Sequence, residues 1–83
     1  MRVTVLFFAT LKDRAGTKSA EIEIAENTTV KKLKEQVVKT YPNLTVSMKT
    51  AIVALNKEFA FDDALIPKGA EIAFFPPVSG GKS

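Results

Sequence analysis

Cysteine and histidine are both absent from this 83-residue sequence. Without cysteine the chain can form no disulfide bond and can offer no nucleophilic or redox-active thiol. Without either residue it lacks the usual ligands for zinc and most transition metals, and the commonest general acid–base side chain is missing. We therefore expect no metal site, and we expect any reactive group to lie elsewhere than on such a side chain.

Long apolar runs are missing as well. No stretch approaches the ~18 consecutive apolar residues that a membrane span needs, and the first residues lack the charged segment, apolar core and cleavage site of a signal peptide. Hydrophobic residues make up 46% and charged residues 25%, which is typical of a globular protein. We expect a cytoplasmic protein with no membrane partner.

The excess of positive charge is small. Twelve lysine and arginine residues against nine acidic residues give a formal net charge of +3, and the lysines are spread along the sequence. A nucleic-acid footprint requires clustered basic residues. A solvated surface is therefore favoured, and no nucleic-acid partner is expected.

Five short segments rich in apolar and β-branched residues are predicted to be strands. Ser19–Ala25 is the clearest of them, because Ala20, Ile22 and Ile24 alternate with glutamates as in a half-buried strand. The five predictions are Val3–Phe8, Ser19–Ala25, Ala51–Leu55, Phe59–Phe61 and Glu71–Phe75.

One main helix is predicted to begin after Thr28 or Thr29, since either threonine is a suitable N-cap. Pro42 is expected to end this helix. The apolar residues at helical spacing are Val30, Leu33, Val37 and Tyr41.

The remaining segments are predicted less completely. A short helical turn is expected over Thr10–Ala15, with Gly16 as its C-terminal stop. No element is predicted for the polar segment Asn43–Thr50, and Asp62–Lys68 is expected to be a loop.

The predicted order is ββαβ(β)β with one main helix. Such a helix can bury its apolar stripe against only one face of a sheet, which defines an α+β layer pair. We expect a ubiquitin-like β-grasp, the commonest such pair at this size, with a mixed sheet of four to five strands. The domain should span residues 1–77, and residues 78–83 have the composition of a flexible C-terminal tail. A domain this small argues against a deep catalytic cleft of its own.

Two phenylalanines are expected on the sheet face away from the helix. Successive side chains of a strand point to opposite faces, so Phe8 shares the face of Arg2, and Phe75 shares the face of Glu71. The first and last strands of a β-grasp are parallel neighbours, which would place Phe8 beside Phe75, with Phe59 able to join them. An exposed apolar patch of this kind marks a partner surface. The alternative is that loops cover these phenylalanines and make them core.

Two glycines lie near the end of the sequence. Pro76-Pro77 is stiff and cannot continue a central strand. Gly80 and Gly81 lack Cβ atoms, so this part of the backbone could thread a narrow channel in another protein. A diglycine alone would favour an ordinary disordered end, but the complete segment is more informative.

The complete segment, Phe74-Phe75-Pro76-Pro77-Val78-Ser79-Gly80-Gly81, resembles the C-terminal signature of the molybdopterin synthase small subunit family. Leu6-Phe7-Phe8-Ala9 and the segment Leu11–Gly16 are similar to that family's N-terminal region. The resemblance covers essentially the whole chain and is weakest in the middle. Its specific part is the terminal signature.

The resemblance implies a β-grasp fold and a route for sulfur. An adenylating activating enzyme uses ATP to activate the terminal glycine carboxylate, and sulfur transfer converts this carboxylate into a thiocarboxylate. The large subunit of molybdopterin synthase then uses the sulfur to convert a cyclic pyranopterin precursor into the dithiolene of molybdopterin. The carrier itself binds no cofactor, and two small and two large subunits form a heterotetramer.

The same resemblance implies roles for five residues. Gly81 would become the thiocarboxylate, and Gly80 would let the tail pass through the partner. Phe8, Phe59 and Phe75 match positions of the family's hydrophobic interface with the large subunit.

The end of the sequence departs from the family pattern. Family members normally end at the second glycine, whereas Lys82 and Ser83 follow Gly81 here. Either proteolysis removes these two residues, or they are an artificial addition, or this member does not carry sulfur.

Three other functions stay open. A sulfur carrier for another pathway, such as thiazole synthesis for thiamin, shares the fold and the diglycine, although the paired phenylalanines and prolines favour molybdopterin. A ubiquitin-like protein modifier would join Gly81 to a lysine through an isopeptide bond, and Lys82-Ser83 fits its precursor. A binding module without covalent chemistry, such as an RNA-binding β-grasp domain, would need neither Gly80 nor Gly81.

Overall fold

The computed structural model describes residues 1–77, which form a five-stranded sheet and three helices. The elements are β1 Arg2–Phe7, α1 Thr10–Ala15, β2 Ser19–Glu23, α2 Val30–Thr40, α3 Thr45–Thr50, β3 Ile52–Leu55, β4 Glu58–Ala60 and β5 Glu71–Phe75. The strand order is β2-β1-β5-β3-β4. β1 and β5 are parallel, and the other neighbouring strands are antiparallel. The predicted α+β order with one main helix is confirmed.

The apolar stripe of α2 explains why the helix packs on one face of this sheet. Val30, Leu33 and Val37 have no exposed surface and belong to the core. Tyr41 is the C-cap rather than a helical residue, and its ring meets Phe7 edge-on with ring centroids 5.4 Å apart. Burial of such a stripe, rather than helix propensity, provides most of a helix's stability in a folded protein.

The threonine that caps α2 is Thr29, not Thr28. The Thr29 Oγ1 accepts a hydrogen bond of 3.2 Å from the Lys32 N–H. Thr28 is buried, and its hydroxyl donates to the Ala25 carbonyl at 2.5 Å. The predicted stop of α1 is also confirmed, because Gly16 adopts the left-handed conformation with φ 78°.

The segment Asn43–Thr50, for which no element was predicted, is largely helical. A 3₁₀ turn over Pro42–Leu44 leads directly into α3. Leu44 has no exposed surface and Met48 is only 4% exposed, so this segment closes one end of the core. The apolar residues Leu44, Val46 and Met48 alternate with polar ones as in a strand, so the periodicity of this short segment does not indicate a helix.

Two strand ends differ from prediction for a physical reason. Asn56 and Lys57 both have positive φ, 50° and 72°, as in a two-residue hairpin turn of type I′. This turn pairs Leu55 with Glu58. The fourth strand is therefore Glu58–Ala60 rather than Phe59–Phe61.

The other strand ends shift slightly. β2 ends at Glu23 instead of Ala25, although the Ile24 N–H still bonds to the Met1 carbonyl at 2.7 Å. β1 ends at Phe7, but the Phe8 N–H continues the ladder to the Phe74 carbonyl at 3.2 Å. Within residues 1–77, no helix is long and apolar enough to cross a membrane.

We expect Thr29→Ala to lower the free energy of unfolding by about 1 kcal/mol, because the Lys32 N–H loses its acceptor. Thr29→Ser should restore most of that loss. Thr40→Ala, at the exposed end of the same helix, is the matched control. Urea unfolding measures all three, and a Thr29→Ala effect no larger than the control would contradict the assigned cap.

Candidate functional site

The parallel pairing of β1 with β5 brings Phe8 and Phe75 together. Phe7 pairs with Phe74, so the next residue of each strand lies on the sheet face opposite α2. The two rings stack with centroids 4.6 Å apart and planes 11° apart. The predicted neighbourhood of Phe8 and Phe75 is therefore observed.

This stack is open to solvent. Phe8 is 40% exposed, and Phe75 is half-buried. Aromatic rings in such an offset stack shield part of each other's surface while leaving outer edges available. The described residues therefore do not support the alternative in which loops cover these phenylalanines.

Phe59 lies on the same face but does not join the stack. It pairs with Ala54 of β3, and Ala54 pairs with Ala73 of β5. These two alanines leave a depression of about 390 Å³ between the ring stack and Phe59. Phe59 itself is 82% exposed. We call Phe8, Phe59, Phe75, Ala54 and Ala73 the phenylalanine face.

The rim of this face carries charge, whereas its centre is apolar. Lys57 and Glu71 border the depression. Among residues 1–77, no group of three or more acidic side chains is placed to hold a metal ion. Such a surface is suited to contact with another protein, because aromatic residues around small pockets dominate binding energy at interfaces.

The carboxyl group of Glu23, whose pKa is shifted, lies away from the phenylalanine face. The Met1 ammonium is 3.0 Å from the Glu23 carboxylate, and its hydrogen bond and charge lower the pKa of Glu23. Glu23 pairs with Arg2, at the end of β1 remote from Phe8. The ion pair between Met1 and Glu23 joins β2 to the residue before β1 and is not part of the candidate site.

One exposed aromatic residue was not assigned to a surface by the sequence reasoning. Phe61 follows β4 and is 82% exposed. It lines a groove of about 620 Å³ together with Ile52 and Phe59, at the end of the β3–β4 ladder. The sequence feature that could have assigned Phe61 to this surface is its spacing of two residues from Phe59. That spacing places both side chains on one face of an extended chain.

The two glycines of the predicted site, Gly80 and Gly81, lie outside the described residues 1–77. β5 ends at Phe75, and Pro76-Pro77 follow it directly. Pro76-Pro77 therefore leave the sheet next to Phe75 of the phenylalanine face.

Comparisons with known proteins find relatives and solved structures that match nearly the whole chain. A model of the ThiS family matches residues 5–81. The molybdopterin synthase sulfur carrier subunit of Chlamydomonas reinhardtii is 34% identical over 83 residues, covering 98% of this chain and 100% of the relative. The structure of SAMP1 from Haloferax volcanii has a TM-score of 0.86 at 27% identity, covering 98% of this chain and 100% of that one.

A likeness to ubiquitin is also found. The ubiquitin of Caldiarchaeum subterraneum has a TM-score of 0.67 at 17% identity, with 98% of each chain covered. At that identity the likeness concerns the fold alone. The predicted ubiquitin-like β-grasp is confirmed.

We expect the Phe8–Phe75 stack to contribute to stability. A double-mutant cycle with Phe8→Ala and Phe75→Ala should give a coupling of about 1 kcal/mol in urea unfolding. The control cycle with Phe59→Ala and Phe75→Ala should give almost none, because Ala54 and Ala73 separate these rings. Equal coupling in both cycles would contradict a specific stack.

Proposed function

The chain belongs to the ThiS family, and we propose that it is the sulfur carrier subunit of molybdopterin synthase, with Gly81 carrying sulfur as a thiocarboxylate. The observation that carries this proposal is the stacked, exposed pair Phe8 and Phe75 at the base of the segment leading to Gly81. Docking through Phe8 and Phe75 would place the residues after Phe75 at the partner's surface. Relatives named as this subunit support the proposal.

The partner that we propose for the phenylalanine face is the large subunit of molybdopterin synthase. Phe59 is 82% exposed, and covering an aromatic side chain contributes about 1.5–3 kcal/mol. The depression floored by Ala54 and Ala73 would receive an apolar side chain from that subunit. In this arrangement the large subunit supplies the catalytic side chains, and two subunits of each kind form the heterotetramer.

The chemistry proposed for Gly81 takes place on the backbone terminus. An adenylating enzyme would join AMP from ATP to the Gly81 carboxylate and release pyrophosphate. A sulfide-level donor such as hydrosulfide would then attack the acyl carbon, forming the C–S bond as the C–O bond to AMP breaks and AMP leaves. The resulting thiocarboxylate is a strong nucleophile near neutral pH, whereas a carboxylate is a weak one. The chain contains no cysteine, so no side-chain thiol of its own competes for the activated carbonyl. We propose the cytoplasm as the location of these steps.

This route requires a free carboxylate at Gly81. Lys82 and Ser83 follow that glycine in the sequence. Hydrolysis of the Gly81–Lys82 peptide bond by a protease would expose the carboxylate. The proposal therefore includes a processing step before activation.

The intact mass of the protein from its native cell tests the route. We expect a species that ends at Gly81, and a second species heavier by the difference between sulfur and oxygen. Protein from cells lacking the adenylating enzyme is the control, and it should show only the lighter species. Retention of Lys82-Ser83 in all molecules would contradict the sulfur-carrier function.

A second candidate function is that of a ubiquitin-like modifier. The observation in its favour is the similarity to SAMP1 from Haloferax volcanii, a small archaeal modifier protein. In this case Gly81 would end in an isopeptide bond to lysines of other proteins. Digestion of the cellular proteins would then reveal lysines bearing the terminal residues of this chain, which a dedicated sulfur carrier would not produce.

We expect Phe75→Ala to weaken binding of the large subunit by about 2 kcal/mol or more, as for a central aromatic anchor. Isothermal titration calorimetry with the purified large subunit measures the affinity. Val46→Ala is the matched control, because Val46 is 70% exposed on α3, in the other layer. Unchanged affinity for a correctly folded Phe75→Ala variant would remove Phe75 from the interface.

A further inference from the structure

The helical layer carries the whole excess of positive charge. Residues 30–50, which form α2, the 3₁₀ turn and α3, contain five lysines and one acidic residue, Glu35. The rest of the sequence contains the other seven basic residues and eight of the nine acidic ones. Half of the ten lysines therefore belong to this contiguous helical segment.

A groove between α2 and α3 lies within this charge. Its volume is about 400 Å³. Its apolar floor includes Val38, which is half-buried, and Met48, which is 4% exposed. The charged side chains around it are Lys31, Lys34, Glu35, Lys39 and Lys49.

Most of these lysines have no acidic partner within the domain. Lys34 pairs with Asp62 at 2.8 Å, which holds the loop after β4 against α2. No acidic side chain among residues 1–77 lies within ion-pair distance of Lys31, Lys39 or Lys49. We call the surface formed by Val38, Met48 and these three lysines the lysine groove.

We propose that the lysine groove binds an acidic amphipathic helix of a partner protein. An apolar floor between basic borders matches a helix whose apolar stripe is flanked by glutamates or aspartates, and helices commonly bind in grooves through such stripes. Opposite charges on the two surfaces accelerate association and select against basic partners. The partner is thus identified by its acidic side chains and by the helical spacing of its apolar residues.

The composition of the groove favours a protein over other anionic partners. Sequence-tolerant binding of single-stranded nucleic acids uses aromatic side chains for base stacking, and bidentate phosphate contacts use arginine. The groove is bordered by lysines and contains neither residue type. Membrane-surface helices insert large exposed apolar side chains, whereas Met48 is buried and Val38 is half-buried.

The lysine groove and the phenylalanine face lie on opposite sides of the sheet. α2 covers the face that carries Phe7 and Phe74, and Phe8 and Phe75 project from the other. An acidic helix and a partner on the phenylalanine face can therefore bind at the same time. This inference does not depend on the sulfur-carrier function.

The test uses the full-length, isotope-labelled protein and a synthetic peptide of about 15 residues, or four helical turns. The peptide carries leucines at positions i, i+3, i+4 and i+7 and glutamates on the flanks. At low salt, we expect the largest amide chemical-shift changes at Val38 and Met48. A scrambled peptide of the same composition should bind at least about tenfold more weakly, because it cannot present an apolar stripe to the floor.

Charge-neutralised variants test the borders of the groove. Lys39→Gln combined with Lys49→Gln should weaken peptide binding about tenfold, through the loss of two ion pairs. Lys18→Gln combined with Lys68→Gln changes the net charge equally, but these residues are not in the groove, so affinity should be almost unchanged. Phe75→Ala should also leave peptide binding intact.

Four results would overturn the proposal. The first is equal binding of the scrambled peptide, which would mean attraction by charge alone. The second is a set of shift changes on the phenylalanine face instead of the groove. The third is equal weakening by both lysine pairs. The fourth is displacement of the peptide by a single-stranded oligonucleotide or by phosphatidylserine vesicles that bind the groove more tightly, which would assign the surface to nucleic acid or membrane.

Discussion

The hydrogen-bonded register between β1 and β5 joins the two ends of the domain at the centre of the sheet. This register determines which side chains lie on each face of the sheet. Phe7 pairs with Phe74, and their rings pack in the core with centroids 6.2 Å apart. The next residue of each strand, Phe8 and Phe75, forms the exposed stack. A slip of one residue would exchange these sets, because side chains alternate between faces.

The two layers of the domain divide its surface into chemically different parts. The face of the sheet away from α2 is aromatic, with Ala54 and Ala73 forming a depression beside the stack. The helical layer is basic, with a small apolar groove between α2 and α3. A chain of 83 residues has little room for a deep catalytic cleft of its own.

Local signals made much of the fold predictable. Apolar and β-branched composition identified all five strands, with clear alternation in β2, and counting residues along β1 and β5 placed Phe8 near Phe75. What escaped prediction depends on tertiary structure or on turn geometry. The positive φ of Asn56 and Lys57 moved β4 by one residue and left Phe61 beyond it. The lysine groove arises only when α3 packs beside α2, and the role of Gly81 rests on family resemblance.

The central position of β5 also has a mechanical consequence. This strand is paired on both sides, with β1 and with β3, and the chain continues from its end into Pro76-Pro77. Ladder hydrogen bonds lie across the strand direction, so tension applied beyond Pro77 loads both ladders in shear and must break many bonds together. A protein that grips this end of the chain therefore holds the domain by a central strand that is hydrogen-bonded on both sides.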